Sequence, residues 1–215
     1  MDRVIMPSCY FGSIAYYAML AQQPVIVDLN ENYRKQTYRT RCDVYGANGL
    51  LSLSVPVVRP HMQKTTVKDI KLRYDEQWRN VHWRSLTSAY RRSPYFEYYE
   101  DLIAPIFEEQ FTFLHELNNA AHQFACEALQ MQFDITFADE YVEDGIDYRG
   151  EFKPSKNSIN KINMPRYLQV FEDKAGFLPN LSVLDLIFNL GPASAQYLQS
   201  LSLATVFENN KTLNL

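Results

Sequence analysis

The sequence predicts an α/β protein in which an N-terminal βαβ unit and a β-hairpin form a mixed sheet, followed by a mostly helical C-terminal part. Three observations lead to this prediction. Two short apolar runs, Val4–Met6 and Val25–Val27, enclose a helical pattern at residues 13–21. An Asn-Gly pair lies between two segments of alternating polarity. From residue 75 onward, apolar residues recur at helical spacing. We therefore expect a single domain over residues 1–215.

The βαβ unit brings one loop from each strand to the same edge of the sheet. Two strands separated by one short helix must pair in parallel. Parallel sheets bind ligands outside the carboxyl ends of their strands. At that edge the first loop holds residues 7–10, and the second holds Asp28 and then a basic stretch at residues 32–41. Asp28 could contact a ligand hydroxyl or act as a base, but a turn-forming carboxylate is an equally good interpretation.

The hairpin pattern predicts a register because Asn-Gly pairs favour type I′ turns. With residues 48–49 as the two turn residues, Val44 faces Leu53 on an apolar side. The opposite side then carries Arg39 and Arg41, which we expect to point the same way. A slip of one residue would bury the arginines, so the pattern favours this register.

The basic stretch is the strongest candidate for an anion site. Lys35 has the same parity as Arg39 and Arg41, in a chain whose net charge is -4. Arginine offers a bidentate fork and lysine a point charge to a phosphate, pyrophosphate or carboxylate. A solvated sheet face with alternating charges is the alternative. The acidity of the whole chain argues against a nucleic-acid partner.

The remaining chain is predicted to be mostly helical. Alternation at residues 66–74 predicts one more strand of the same sheet, after a polar loop that contains Lys64. The polar segment at residues 143–163 is predicted to be a long loop, either mobile or a lid over the site. Helices are predicted at residues 76–92, 95–105, 112–129, 181–189 and 192–201, and short strands within 133–142 and at 168–171.

Composition excludes several classes of protein. Hydrophobic residues make up 47% of the chain, which supports a sizeable core and argues against disorder. No apolar run reaches the length of about 20 residues that spans a bilayer. The three cysteines form neither a disulfide framework nor a metal-binding spacing, and no glycine-rich phosphate loop is present. We expect a cytoplasmic protein with reduced thiols, no metal, no cofactor and no membrane span.

Candidate catalytic side chains also have structural interpretations. His82 has the residue type suited to proton transfer, but it lies beside apolar helix positions, where histidines are usually hydrogen-bonded structural residues. His115 and His122 complete no metal motif and are expected at the surface. Cys9 has no activating base nearby in the sequence. Tyr90 belongs to a tyrosine-rich stretch that could line a sugar-binding cleft or pack in the core.

Segments spread over most of the chain resemble the WbqC-like family of bacterial proteins. They are Ile5–Pro7, Tyr10-Phe11, Asp28, Lys35–Arg39, Arg41, Leu51–Val57, Lys64, Trp78, His82, Ala89-Tyr90 and Ser93–Phe96. The back half resembles the longer branch of that family found in Bacteroidetes, through Gln169–Phe171, Phe177–Leu186 and Gly191-Pro192. Two positions depart from the family pattern. Met6 replaces a common glutamine and Thr40 replaces the usual asparagine, which would alter the activity if those residues bind substrate.

The resemblance implies a role in surface polysaccharide synthesis, such as that of O-antigen. The suggested reaction transfers an acyl or aminoacyl group, for example glycine, to a nucleotide-activated or phosphorylated sugar. On this hypothesis His82 and Asp28 are catalytic, and the substrate is bound by Lys35, Arg39, Arg41, Lys64 and Tyr90. The alternative is a non-catalytic protein that binds an anionic metabolite or acts as a scaffold in envelope assembly. Both hypotheses leave the oligomeric state open.

Overall fold

The computed structural model describes residues 3–58, 64–154, 163–204 and 206. The middle of the predicted loop before residue 66, and the stretch 155–162 of the predicted 143–163 loop, lie outside these residues. The strands are β1 (Val4–Met6), β2 (Val25–Val27), β3 (Arg41–Gly46), β4 (Gly49–Ser54), β5 (Ile135–Phe137) and β6 (Ile146–Asp147). The helices are α1 (Ile14–Gln22), α2 (Trp78–Tyr90), α3 (Phe96–Glu108), α4 (Leu114–Leu129), α5 (Glu172–Ala175), α6 (Val183–Leu190) and α7 (Ser194–Ser200).

The predicted βαβ unit is confirmed and forms the centre of a parallel sheet. The strand order is β5-β2-β1-β6, and every neighbouring pair is parallel. All three residues of β1 are buried, as is typical of a parallel strand covered on both faces. Helix α1 connects β1 to β2 and begins after Ser13, whose side chain accepts a hydrogen bond from the Tyr16 amide as an N-cap.

The hairpin is present, but it forms a two-stranded sheet of its own instead of joining the parallel strands. The predicted register was wrong by two residues, since Val44 pairs with Leu51 and the turn is made by residues 47–48. Asn48 does not adopt the positive φ that a type I′ turn needs, and Gly49, with φ 100°, takes the left-handed position after the turn. A two-residue shift preserves the faces, so Cys42 and Val44 remain on one side.

Two of the predicted strands were wrong. Residues 66–74 contain a turn of 3₁₀-helix at Val67–Asp69. Lys71 and Leu72 form only isolated β-bridges, so the alternating pattern does not produce a strand. Residues 168–171 lead into α5, where the Gln169 side chain forms the bonds a ladder would have supplied. Part of the predicted 143–163 loop is instead the edge strand β6.

The helices enclose the sheet and the hairpin in a shared apolar core. Helix α1 packs against α7 and α6, and α2 packs against α3 and β3. Helix α4 packs against α3 and α6. The fold class predicted from the sequence is confirmed, with N-terminal strands, a hairpin and a mostly helical remainder. The result that matters for function is the edge of the parallel sheet where all four strands end.

Candidate functional site

A cavity of about 290 Å³ lies at the carboxyl ends of the parallel strands, between the sheet and the N-terminal half of α4. This is where ligands bind in parallel sheets. Polar and apolar residues alternate around it, and we call it the sheet-edge cavity. Its lining residues are Ser8, Cys9, Tyr16, Tyr17, Val27, Leu29, His115, Glu116, Asn118, Asn119, His122, Ile135 and Phe137.

Asn118 connects this cavity to the strand loops. Its amide nitrogen donates to the Ser8 hydroxyl and to the Arg39 carbonyl, both at 3.1 Å. The side chain is buried, yet its Oδ1 atom has no hydrogen-bond partner among the described residues. A buried amide oxygen without a partner costs free energy, so this atom is available to a donor on a ligand.

Two histidines that were expected at the surface are half-buried and line the same cavity. The His122 ring stacks on Tyr17, with 5.9 Å between centroids, and burial lowers its pKa to about 4. Burial also lowers the pKa of His115, against the opposing effect of Glu116, and the buried Nδ1 of His115 has no partner. Both imidazoles are therefore neutral at pH 7 and able to accept a proton.

The rest of the lining is nearly free of charge. Among the described residues, no lysine or arginine lines the sheet-edge cavity. The Glu116 carboxylate accepts hydrogen bonds from the Thr112 and Phe113 amides, both at 2.9 Å, at the start of α4. Burial raises the pKa of the Cys9 thiol far above its ordinary value, although the nearby Arg39 charge opposes the shift. The thiol is therefore protonated and is a poor nucleophile.

Asp28 lies at the predicted edge, but its carboxylate is used inside the protein. The side chain is completely buried, and Oδ2 accepts a hydrogen bond at 2.5 Å from Arg149, which follows β6. Arg149 also forms a bidentate pair with Asp147, at 2.9 and 3.0 Å. Oδ1 of Asp28 accepts from the Asn30 amide, as in an Asx turn. Asp28 therefore holds the carboxyl ends of β2 and β6 together.

Arg39 belongs to the same buried network. It is fully buried, donating to both carboxylate oxygens of Glu31 at 2.8 and 2.6 Å and to the Arg149 carbonyl at 2.9 Å. The expectation that Arg39 and Arg41 share an exposed strand face was wrong, because β3 begins at Arg41 and the preceding residues form turns. One nitrogen of Arg39, Nη1, has no hydrogen-bond partner.

Helix α1 begins at the same edge, but its N-terminus offers no free amides to an anion. The Ile14 amide donates to the Leu181 carbonyl, and the Ala15 amide donates to Asn180 Oδ1. The Tyr16 amide is capped by Ser13. With these donors occupied, a phosphate has no place at this helix end.

His82 is buried away from the sheet-edge cavity and joins three elements. Its Nε2 lies 3.2 Å from the Ser54 carbonyl, which can only accept, so Nε2 carries the proton. Nδ1 then accepts from the Tyr10 hydroxyl at 3.0 Å. Burial lowers the pKa of His82 to about 4. Both ring nitrogens are thus engaged within the protein.

The other predicted contacts are dispersed. The Tyr90 hydroxyl is buried, donating to Asp185 and accepting from the Tyr45 amide, and it does not line the sheet-edge cavity. Lys35 and Lys64 are exposed, and Arg41 is half-buried at the start of β3. The structure therefore brings Asp28 and Arg39 together through Arg149, but none of the predicted site residues lines the sheet-edge cavity.

Comparisons with known proteins place the chain in a family. The sequence profile of the WbqC-like protein family matches residues 8–151. The chain belongs to the WbqC-like protein family. An uncharacterised protein of Mycobacterium tuberculosis, Rv1507c, is 26% identical over 224 aligned residues, covering 91% of this chain and 96% of that protein. No solved structure matches the chain at a significant level.

The part of this WbqC-like protein that matches the family contains every residue lining the sheet-edge cavity. Asn118 was missed in the sequence, and His115 and His122 were interpreted as surface residues instead of site residues. The three follow one another at three- and four-residue steps, so their shared helix face could have been recognised. Arg149 gives no local signal, because its partner Asp28 is 121 residues away in the chain.

Proposed function

We propose that this WbqC-like protein binds the sugar part of a phosphorylated or nucleotide-activated sugar in the sheet-edge cavity, and transfers an acyl or aminoacyl group to it in the cytoplasm. The observation that supports this proposal most strongly is the lining of the cavity. Asn118 supplies a buried amide whose oxygen has no partner in the described residues, and Ser8 supplies a hydroxyl. Tyrosine rings complete the lining.

The size and polarity of the cavity favour a sugar over a larger or more highly charged group. At about 290 Å³ it is at the lower end of the range of roughly 300–1,000 Å³ typical of ligand sites. Sugars present hydroxyl groups to side-chain amides and apolar ring faces to aromatic residues. Asn118 and Asn119 supply the amides, and Tyr16 and Tyr17 supply the rings. Since no cation lines the cavity, any phosphate of the substrate would lie outside it.

His115 is the group in the cavity best suited to move a proton. Its neutral imidazole would accept the proton of a sugar hydroxyl or amine as that group attacks the acyl carbon of an activated amino acid such as glycine. A new ester or amide bond would form as the activating group departs. Surface polysaccharide synthesis, the role implied by the family resemblance, uses sugars in activated form.

Blocking the cavity tests the proposal. Asn119 is exposed and lines the cavity, so Asn119→Trp should fill it without disturbing the core. We expect thermal shifts from a panel of sugar phosphates with the wild-type protein, and loss of those shifts in the variant. Glu127→Trp, two turns further along the exposed side of α4 and outside the cavity, is the matched control. Equal shifts in both variants would contradict binding in this cavity.

A non-catalytic role in binding the same ligand is the second candidate. It is favoured by the state of the two predicted catalytic groups, since His82 is engaged at both nitrogens and the Asp28 carboxylate is paired with Arg149. The two candidates differ in product formation. Incubation of a ligand found in the panel with activated glycine, followed by mass spectrometry, should show an acylated sugar for a transferase and unchanged sugar for a binding protein.

A further inference from the structure

A second concavity differs from the sheet-edge cavity because its lining is positively charged. It has a volume of about 700 Å³ and runs along α2, from the hairpin turn to the segment before α5. We call it the basic groove. Its lining residues are Ala47, Trp83, Arg84, Thr87, Ser88, Ala89, Arg91, Arg92, Val170 and Phe171.

Three arginines give the basic groove its charge. Arg84, Arg91 and Arg92 are exposed, and none forms a salt bridge with a carboxylate in the described part of the chain. Arg84 and Arg91 are seven residues apart, so they lie two turns apart on one side of the helix. No acidic residue of the part of the chain that the structure describes lines the groove. The C-terminal end of a helix favours cations such as Arg91 and Arg92, but this effect does not extend to Arg84.

The walls of the groove add an aromatic surface and an unused hydroxyl. Phe171 is half-buried and lines the side opposite α2. A further cation, Lys174, lies 5.7 Å from the centre of its ring. The Thr87 hydroxyl oxygen, between the arginines along the helix, is buried and has no hydrogen-bond partner among the described residues. The groups exposed to a ligand here are therefore the arginine donors, beside the half-buried Phe171 ring.

We propose that the basic groove binds a nucleoside diphosphate group. Guanidinium groups pair with phosphate oxygens in a bidentate manner, and two phosphates would balance several unpaired positive charges. The base would stack on Phe171, as bases do on aromatic side chains. The groove has exposed arginines that form no salt bridge in the described residues. Arg39 was expected to offer such a group to a ligand, and the described lining of the sheet-edge cavity contains none. This inference does not depend on the proposed function.

Calorimetry on the full chain tests this site with three probes, namely UDP, ADP and inorganic pyrophosphate. The double variant Arg91→Gln/Arg92→Gln should weaken binding of all three at least about tenfold, because each lost guanidinium removes charge-assisted hydrogen bonds. Arg84→Gln is a second variant, should the double variant fail to fold. Arg79→Gln removes the same charge from the same helix outside the basic groove and should leave the affinities within about twofold.

Two comparisons make the assignment falsifiable. Phe171→Ala should weaken the binding of UDP and ADP but not that of pyrophosphate. If the wild-type protein binds pyrophosphate as tightly as UDP and ADP, the stacking contact is overturned. No saturable binding by the wild-type protein, or an equal loss in Arg79→Gln and the double variant, would overturn the site. Asn119→Trp should leave nucleotide binding intact, so failure of the sheet-edge cavity as a sugar site is distinguishable from failure of this groove.

Discussion

The guanidinium of Arg39 is fully buried, and the Glu31 carboxylate lies 2.6 Å away. Burial raises the pKa of Glu31, whereas the charge and hydrogen bonds of Arg39 lower it. Each group therefore depends on the other, because an isolated charge is costly in a protein interior. The pair holds the turn at residues 35–40 against the loop after β2. Its contribution is structural, and it positions the Asn118 amide through the Arg39 carbonyl.

Arg39→Met is expected to destabilise the protein by about 3–5 kcal/mol, because it leaves the Glu31 carboxylate buried without a partner. Adding Glu31→Gln to this variant should restore part of the loss by removing the stranded charge. Arg41→Met, at a half-buried position without an ion pair in the described residues, should cost less than about 1 kcal/mol. Urea unfolding measures all three variants. If the double variant is no more stable than Arg39→Met, the unpaired Glu31 carboxylate is not the cause of the destabilisation.

At the residue scale, the sequence located the right edge of the sheet but not the state of its side chains. Asp28 was predictable there because it directly follows an apolar run. The burial of Arg39 was not predictable, because it depends on two remote partners. Glu31 reaches it across a turn, and Arg149 approaches from a segment that looks like a polar loop. A prediction from residue type alone expects such arginines to be exposed, since buried arginines are rare unless they are paired.

At the scale of elements, the two-residue strand β6 has an importance that its length does not suggest. It pairs with β1 and delivers Asp147 and Arg149 to the buried network. The chain enters β6 through Gly145, whose φ is 146°. A Cβ atom at Gly145 would lie 2.5 Å from the Arg3 carbonyl oxygen, which accepts the Ile146 amide. Only glycine allows this approach, so Gly145 sets the docking of the strand.

Gly145→Ala is therefore expected to loosen β6 and to destabilise the protein more than a positive φ alone would. Gly176→Ala is the matched control, because Gly176 has φ 75° and no atom within 4 Å of an added Cβ. The control should cost about 1–2 kcal/mol through backbone strain, and Gly145→Ala should cost more. Urea unfolding gives the difference. Equal losses would mean that the contact with Arg3 is relieved by a small shift of the backbone.

Local patterns identified most helices and the βαβ unit, but they failed to predict strand pairing between residues that are far apart in the chain. In the hairpin, they predicted the faces but not the register. Its faces were predictable from alternation, whereas its register depended on whether residue 48 or 49 adopted the left-handed conformation. Strand β6 had no predictable signal, because two residues cannot show a period and its partner β1 is at the other end of the chain.

At the scale of the whole molecule, His82 links separate parts of the fold. From α2 its ring contacts the Tyr10 hydroxyl in the β1–α1 loop and the Ser54 carbonyl at the end of β4. The hydrogen bond from Tyr10 requires the neutral imidazole, because Nδ1 accepts it, whereas Nε2 can donate to Ser54 in either protonation state. Protonation of His82 therefore opposes the packing of α2 against the β1–α1 loop.

The pH dependence of stability should report this linkage. Burial lowers the pKa of His82 from 6.5 to about 4, so the unfolded chain binds more protons than the folded protein between these values. Stability from this group is present above pH 6.5 and is lost as the pH falls toward 4. The shift corresponds to a loss on the order of 3 kcal/mol. Urea unfolding at several pH values between 4 and 7 measures the change.

The variant His82→Gln separates this effect from those of the carboxyl groups. Burial raises the pKa of both Glu31 and Asp185, so these groups favour the folded state as the pH falls and mask part of the histidine effect. Glutamine can accept from Tyr10 and donate to Ser54, but it does not titrate. The wild-type protein should be more stable than the variant at pH 7, and the difference should shrink toward pH 4. A difference independent of pH would show that folding does not shift the pKa of His82.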